Sequence, residues 1–336
     1  MRLTAQGIGG SAASPVDVVR HLLAMQAQDF GGALWAVGLR TAAATEADVE
    51  QAIADRQIVR SWPQRGTLHL VAAEDLHWML ALTSARTLQS AAGRHRALGL
   101  DSDSFTRAAS IAEAAVGDGV LGRADLLAAL DAGGVSTEGQ RGAHLLLYLA
   151  VTGLLVFGPR MGKQHSFALL DQWVPSRRAL EGDEALAEIA LRYLTSHGPA
   201  TDRDLAWWSS LTLGQVRRGI AAVAPQLELL TVDGTEHWHR PGLEPAPAGV
   251  HALPGFDEYV LGYQDRHAQL GEGWMQRIVP GGNGMFLPTV VSNGEIVGTW
   301  KRTRSRIDIE GARPRGLRFT RYAEFLGTPL TVAALP

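Results

Sequence analysis

The chain has 336 residues, 46% hydrophobic and 19% charged, with a formal net charge of −3. That length and composition describe two or three packed domains and exclude a disordered or collagen-like chain. It contains no cysteine, which excludes disulfides, thiolate metal sites, iron–sulfur clusters and a cysteine nucleophile.

The N-terminus, Met1-Arg2-Leu3-Thr4-Ala5-Gln6-Gly7, lacks the charged-then-apolar pattern of a signal peptide. No apolar run reaches the roughly 18 residues that a membrane span needs, so the expected compartment is the cytoplasm. The spacing of Val16, Val18, Val19, Leu22, Leu23 and Met25 predicts a helix from Pro15 to about Gln28, with Gly31-Gly32 as its stop signal. Gln26, Gln28 and Asp29 would then sit at a frayed helix end. On an ideal helix, residues two apart point about 200° from each other, so Gln26 and Gln28 converge only where the backbone unwinds. A second helix is expected from Thr45, with Glu46 and Asp48 in its first turn. Strands follow at 58–62 and 66–71 around Pro63-Gln64-Arg65, giving the helix, helix, hairpin order of a winged helix.

The order recurs. Helical runs at 105–116, 123–132 and 140–151 precede strands at 153–159 and 165–170, with residues 160–164, including Lys163, as the wing. A third set has helices at 183–196, 201–209 and 212–223, then strands 227–232 and 236–239 around Asp233-Gly234, a strong hairpin turn. The Pro- and Gly-rich stretch from Pro241 to Gly249 reads as a linker. Beyond it, short apolar runs at 259–261, 277–279, 288–291, 296–300 and 317–319, with Ser292-Asn293-Gly294-Glu295 as a turn, predict a small β-barrel. The expectation is an α+β chain of three winged-helix units, 1–98, 99–180 and 181–240, and a barrel at 250–336.

The near-neutral total hides a basic cluster. Between Lys301 and Arg321, eight cationic residues stand against Asp308 and Glu310. With the repeated DNA-reading architecture, Arg60, Lys163, Arg217, Arg218, Lys301, Arg302, Arg304 and Arg306 become candidate phosphate contacts. No phosphate loop, metalloprotease helix or nucleophile elbow is present. His237 and His239 share one face of a strand without a third ligand nearby, so no metal and no cofactor are expected.

Three segments carry a resemblance: Gln26-Ala27-Gln28, then Arg65-Gly66-Thr67-Leu68-His69-Leu70, then the run Leu253–Arg266. Together they resemble the AlkZ/YcaQ-type bacterial DNA glycosylases over nearly the whole chain. The resemblance implies tandem winged helices and a C-terminal barrel around a C-shaped cleft for double-stranded DNA. It also implies excision of N7-alkylated purines, as bulky adducts or interstrand crosslinks, for repair or self-resistance. The family's signature is a glutamine, an apolar residue and then glutamine or aspartate. This chain has the Gln–Gln form, so Gln26 and Gln28 are the expected catalytic amides.

A glutamine is no general base near neutral pH, but it can orient a water. An N7-alkylated purine is already cationic and leaves readily. A lyase step would need an amine, and Lys163 and Lys301 are the chain's two lysines, so monofunctional hydrolysis is expected. Trp62, Arg65, Thr67 and His69 are expected to face the cleft, with Trp207, Trp208 and Trp238 as further candidates and Pro280–Gly284 as a groove-probing turn. A C-shaped clamp of this kind is expected to work as a monomer. Two other readings are a non-catalytic winged-helix DNA-binding regulator and a protein that sequesters a DNA-reactive drug.

Overall fold

Leu23 has a positive φ of 66°, and there the helix Pro15–Leu22, which follows a short helix at Arg2–Ala5, gives way to a strand, β1 (Ala24–Gln26). The structure, a computed structural model, describes residues 1–247 and 249–333; Ala248 of the predicted linker lies outside the described residues. The helix starts as its sequence dictates, with Ser14 accepting from Asp17 N–H and Pro15 at its first position. Its end is set by packing. Leu22 belongs to one hydrophobic core, Leu23 and Ala24 to another, and Met25 to the first again. A helix cannot deliver adjacent side chains to opposite sides in that way, whereas a strand does. The predicted helix to Gln28 is therefore six residues too long. Gly31-Gly32 do not stop it; they lie in the first turn of the next helix, Phe30–Gly38.

The second predicted helix forms at Glu46–Ala54 with a reciprocal capping box between Thr45 and Asp48. Strands β2 (Ile58–Gln64) and β3 (Thr67–Ala72) follow. Their turn is Arg65-Gly66, not residues 63–65, and both turn residues have positive φ, as a two-residue hairpin demands. A 22-residue helix, Leu76–Ala97, then connects to a second set of helices at Ser102–Val116, Arg123–Ala132 and Arg141–Val151. With β4 (Leu121–Gly122), β5 (Leu155–Met161) and β6 (Gln164–Leu169) these complete the second unit. The third comprises helices Gly182–His197, Asp202–Ser209 and Leu213–Val223 and the hairpin β7 (Glu228–Val232) and β8 (Thr235–His239). Three helices and a hairpin thus occur three times in order.

The first two hairpins are not separate wings. They fuse, through β2 and β5, into one six-stranded sheet of order β1-β3-β2-β5-β6-β4, whereas β7-β8 stands alone.

The C-terminal segment departs further from expectation. Strands β9 (Val250–Leu253), β10 (Thr289–Ser292), β11 (Glu295–Thr303), β12 (Arg306–Gly311) and β13 (Thr331–Val332) form a sheet of order β13-β12-β11-β10-β9. Its edge strands do not pair with each other, so it is an open, half-barrel sheet, not a closed barrel. Tyr259-Val260-Leu261 and Arg277-Ile278 are helical, in Glu258–Leu261 and Trp274–Ile278, and 317–319 leads into helix Thr320–Leu326. These runs are too short for their periodicity to separate strand from buried helix. Asn293-Gly294 does make the expected turn, both with positive φ.

Packing crosses these sequence units. One core joins Leu3–Leu70 to Ala252–Phe325, and a buried ion pair reinforces the join: Arg40 Nη2 and Nη1 donate to the two oxygens of Asp257 at 2.8 and 2.9 Å. The same carboxylate accepts Tyr259 N–H at 2.8 Å and so caps the turn Glu258–Leu261. That turn is thereby pressed against β1.

Candidate active site

Gln26 is the last residue of β1 and faces His69 across the antiparallel ladder to β3. Ala27 continues the pairing, its N–H donating to Leu68 O at 2.6 Å. Gln26 is half-buried and Gln28 exposed, while Ala27 between them is fully buried. β1 ends at Gln26, and Gln28 lies in the bend that follows.

Both ends of Gln26 are held. Its backbone N–H donates to Glu258 Oε1 at 2.8 Å, and its carboxamide oxygen accepts from Arg65 Nη2 at 3.3 Å. Arg65 has only donors, which fixes the carboxamide orientation. The same Nη2 donates to His69 Nε2 at 3.2 Å, while His69 Nδ1 donates to Thr67 O at 2.9 Å. His69 is therefore neutral, and burial followed by the Arg65 charge pushes its pKa down to about 3. Arg65 Nη1 donates to Leu261 O at 3.3 Å, and the guanidinium lies 4.7 Å from the centre of the Trp207 ring. Gln28 Oε1 accepts Leu68 N–H at 3.4 Å. Among the described residues neither amide nitrogen, of Gln26 or of Gln28, donates a hydrogen bond.

Glu258 is 1% exposed. Its Oε2 accepts from Trp208 Nε1 at 2.9 Å and lies 3.5 Å from His197 Nε2. Burial alone would raise this carboxyl. The adjoining His197 and the charges of Arg65 and His69 outweigh it and bring the pKa down to about 2. Because burial keeps His69 and His197 neutral near pH 7, Arg65 is the lasting cationic cause. Reasoning from the sequence gave Glu258 no role, although an acid inside the run Phe256–Leu261 signals a buried, paired charge.

Arg60 was expected to hold a phosphate and does not. It is 4% exposed, and its Nη2 and Nε donate to Ala27 O at 2.7 and 3.1 Å. Its Nη1 meets His165 Nε2 at 3.0 Å. Burial lowers its pKa to about 10, so it stays charged. Its work is to anchor the residue between the two glutamines. Trp62 is half-buried and packs on Phe157, 5.1 Å between ring centres, against the core beneath the hairpins. Thr67 keeps its hydroxyl buried and unpartnered; it contributes its carbonyl to His69. Trp208 is buried as the donor to Glu258, and Trp207 lies between Arg65 and Arg266, whose guanidinium is 4.8 Å from its ring centre.

Lys163 is exposed at the β5–β6 tip, and Lys301, Arg302 and Arg304 are exposed along the β11–β12 hairpin. Arg217 and Arg218 are already paired with Asp202 and Asp183. His237 and His239 direct Nδ1 to backbone carbonyls, and among the described residues no group of three potential ligands can hold a metal.

Two close approaches set the wall beside the glutamines. A Cβ on Gly32 would lie 2.8 Å from Asp29 Oδ2 and 3.4 Å from Gly255 O; one on Gly255 would lie 2.5 Å from Phe286 O. The expected probing turn begins as a single 3₁₀ turn, Pro280–Gly282, and the irregular segment after it approaches Gly255 at Phe286. A cavity of about 740 Å³ adjoins Arg266, lined also by Arg203, Asp204 and His267, and includes neither glutamine.

Fold and site together define a mixed α+β protein of repeated helical units and hairpins, with the Gln26 amide held between a buried carboxylate, Glu258, and the half-buried Arg65. A family model described as DNA glycosylase AlkZ-like matches residues 19–315, and the chain belongs to that family. An interstrand DNA cross-link repair glycosylase of Streptomyces sahachiroi is 28% identical over 304 residues, 86% of this chain and 82% of that protein. The solved structure of Streptomyces sahachiroi DNA glycosylase AlkZ matches with a TM-score of 0.81 at 24% identity, over 99% of this chain and 97% of that one, which shows the fold. The resemblance read from the three sequence segments holds at the level of the family. Among the described residues no helix is long and apolar enough to cross a membrane.

Proposed function

We propose that the protein hydrolyses the N-glycosidic bond of N7-alkylated purines in double-stranded DNA, acting on bulky adducts or crosslinks, with Gln26 and Gln28 as the residues that place the water. The observation that carries this is the pair of unpaired amide nitrogens at the end of β1 and in the bend after it, both anchored at the carbonyl end. Each amide offers donors, and each carbonyl oxygen keeps a second lone pair for a water or the sugar.

The chemistry asks little more. Water oxygen bonds to the sugar's C1′, the C1′–N9 bond breaks, and its electrons neutralise the cationic purine. The water's surplus proton passes to solvent. Positioning supplies catalysis without a base because the leaving group is already activated. Lys163 and Lys301, the two lysines, are both exposed on hairpins and neither hydrogen-bonds to Gln26 among the described residues, which supports reading the enzyme as monofunctional. The three helix–hairpin units serve in this reading as winged helices. Lys163, Lys301, Arg302 and Arg304 contact phosphates around a cleft, and the protein acts as a monomer.

The test is release of 7-methylguanine from duplex DNA, read as strand scission after heat and alkali. Gln26→Ala and Gln28→Ala are each expected to lower the single-turnover rate about 100-fold, with duplex affinity retained. Full rates in both variants would refute the assignment. A borohydride-trapped covalent adduct would refute monofunctional hydrolysis.

A further inference from the structure

We infer that Glu258 is a positioning residue of this site and that its negative charge, beyond its hydrogen bonds, is what the reaction requires. The inference rests on the reading of Gln26 as a water-placing amide. Gln26 is held at both ends by groups of opposite charge, a buried carboxylate and a half-buried guanidinium. Glu258 Oε1 takes its backbone N–H and Arg65 takes its carboxamide oxygen. A second cation, Arg266, shares the Trp207 ring with Arg65, whereas the titratable side chains packed around Glu258 are uncharged near neutral pH. His69 and His197 are fully buried, with their pKa values lowered by that burial, and Tyr193 and Tyr263 are held protonated. Trp208 and Gln6 contribute neutral donors, Trp208 to Glu258 Oε2 and Gln6 to Glu258 O.

Without Glu258, no carboxylate would touch Gln26 to offset the Arg65 cation. A cationic purine binds there, and positive charge develops on the sugar as the bond breaks. An uncompensated cation in a dry site opposes both; a carboxylate against Gln26 N–H cancels it and favours the developing charge. A carboxylate is also the one side chain able to accept at both positions. Glutamine in its place must turn its NH₂ toward either Gln26 N–H or Trp208 Nε1–H, a donor–donor clash.

That clash supplies the test. Trp208→Phe removes one donor, so Glu258→Gln in that background can accept from Gln26 N–H with no clash and no charge. The expected result is a 7-methylguanine release rate about 10- to 100-fold below that of the Trp208→Phe protein, with duplex Kd and thermal midpoint matching it. A double variant that releases base as fast as Trp208→Phe alone would show that the charge is dispensable and overturn the inference. On the wild-type protein, the assigned Glu258 carboxyl carbon in ¹³C NMR should stay ionised from pH 8 to pH 4. Titration of that carbon above pH 6 would overturn the inference even if neither variant folds. If wild-type protein releases no base, or Gln26→Ala keeps the full rate, the functional reading itself fails, which is a separate outcome.

Discussion

Arg60 Nη2 donates to the carbonyl oxygen of Ala27 at 2.7 Å, and Nε donates to the same oxygen at 3.1 Å. A forked guanidinium on the one carbonyl between the two glutamines sets the direction of that strand's end. Arg60 therefore contributes to stability and site geometry, in contrast with the exposed lysines and arginines of the hairpin tips.

Arg60→Ala is expected to lower stability by about 1–3 kcal/mol, the cost of leaving a buried carbonyl unpaired. Denaturant unfolding measures it. The salt dependence of duplex binding should be unchanged, because Arg60 reaches no phosphate.

Lys163→Ala, Lys301→Ala and Arg302→Ala are each expected to reduce the slope of log Kd against log salt by about 0.9. Arg217→Ala and Arg218→Ala should change it less, since both side chains already pair with Asp202 and Asp183. Fluorescence anisotropy from 50 to about 200 mM salt would separate the two sets. Equal slopes throughout would remove the hairpin tips from the duplex contact.

Acid should weaken the fold through His69. Its folded pKa of about 3 lies below the ordinary 6.5, so the unfolded chain binds the extra proton first. Stability is full above about pH 6.5 and is lost as pH falls towards 3. Between pH 7 and pH 5 this single group costs about 2 kcal/mol. His69→Asn cannot titrate and should show a correspondingly shallower loss over that interval in urea unfolding.

The two glycines beside the site should respond differently to alanine. At Gly32 the nearest atom is the tip of the exposed Asp29 side chain, which can swing away, so Gly32→Ala should leave stability within about 1 kcal/mol of wild type. At Gly255 the obstacle is the Phe286 backbone carbonyl, 2.5 Å from the new Cβ. Gly255→Ala should cost about 1–3 kcal/mol and displace the segment entering β10. Matched thermal melts would reveal the difference.

Arg40→Ala breaks the buried pair with Asp257 and is expected to cost about 3–5 kcal/mol, because a carboxylate is left uncompensated in the core. That is a large part of a domain's stability. A midpoint unchanged in denaturant would show that the join between the first core and the C-terminal segment does not depend on this pair.

Much was legible from local sequence. The caps at Ser14, Thr45, Thr201 and Thr212, the Asn293-Gly294 turn and the recurring helix-to-hairpin order follow from chemistry within a few residues. The glutamine motif and the family it marks were also readable, because Gln26, Gln28, Arg65 and His69 are a matter of residue type and spacing. The tertiary structure decided the rest. Leu22 and Leu23 enter different cores, and that demand ended the periodic helix at Leu22 and began a strand that carries Gln26 and leads into the bend at Gln28. The fusion of two hairpins into a single sheet and the open C-terminal sheet depend on pairings between distant strands that no local pattern encodes. Arg60 and Glu258 are charged residues whose roles depend on burial: one grips Ala27 O, the other Gln26 N–H across 232 positions of sequence. Charge is written in the sequence, whereas desolvation, which makes a charge structural or chemical, exists only once the chain has folded around it.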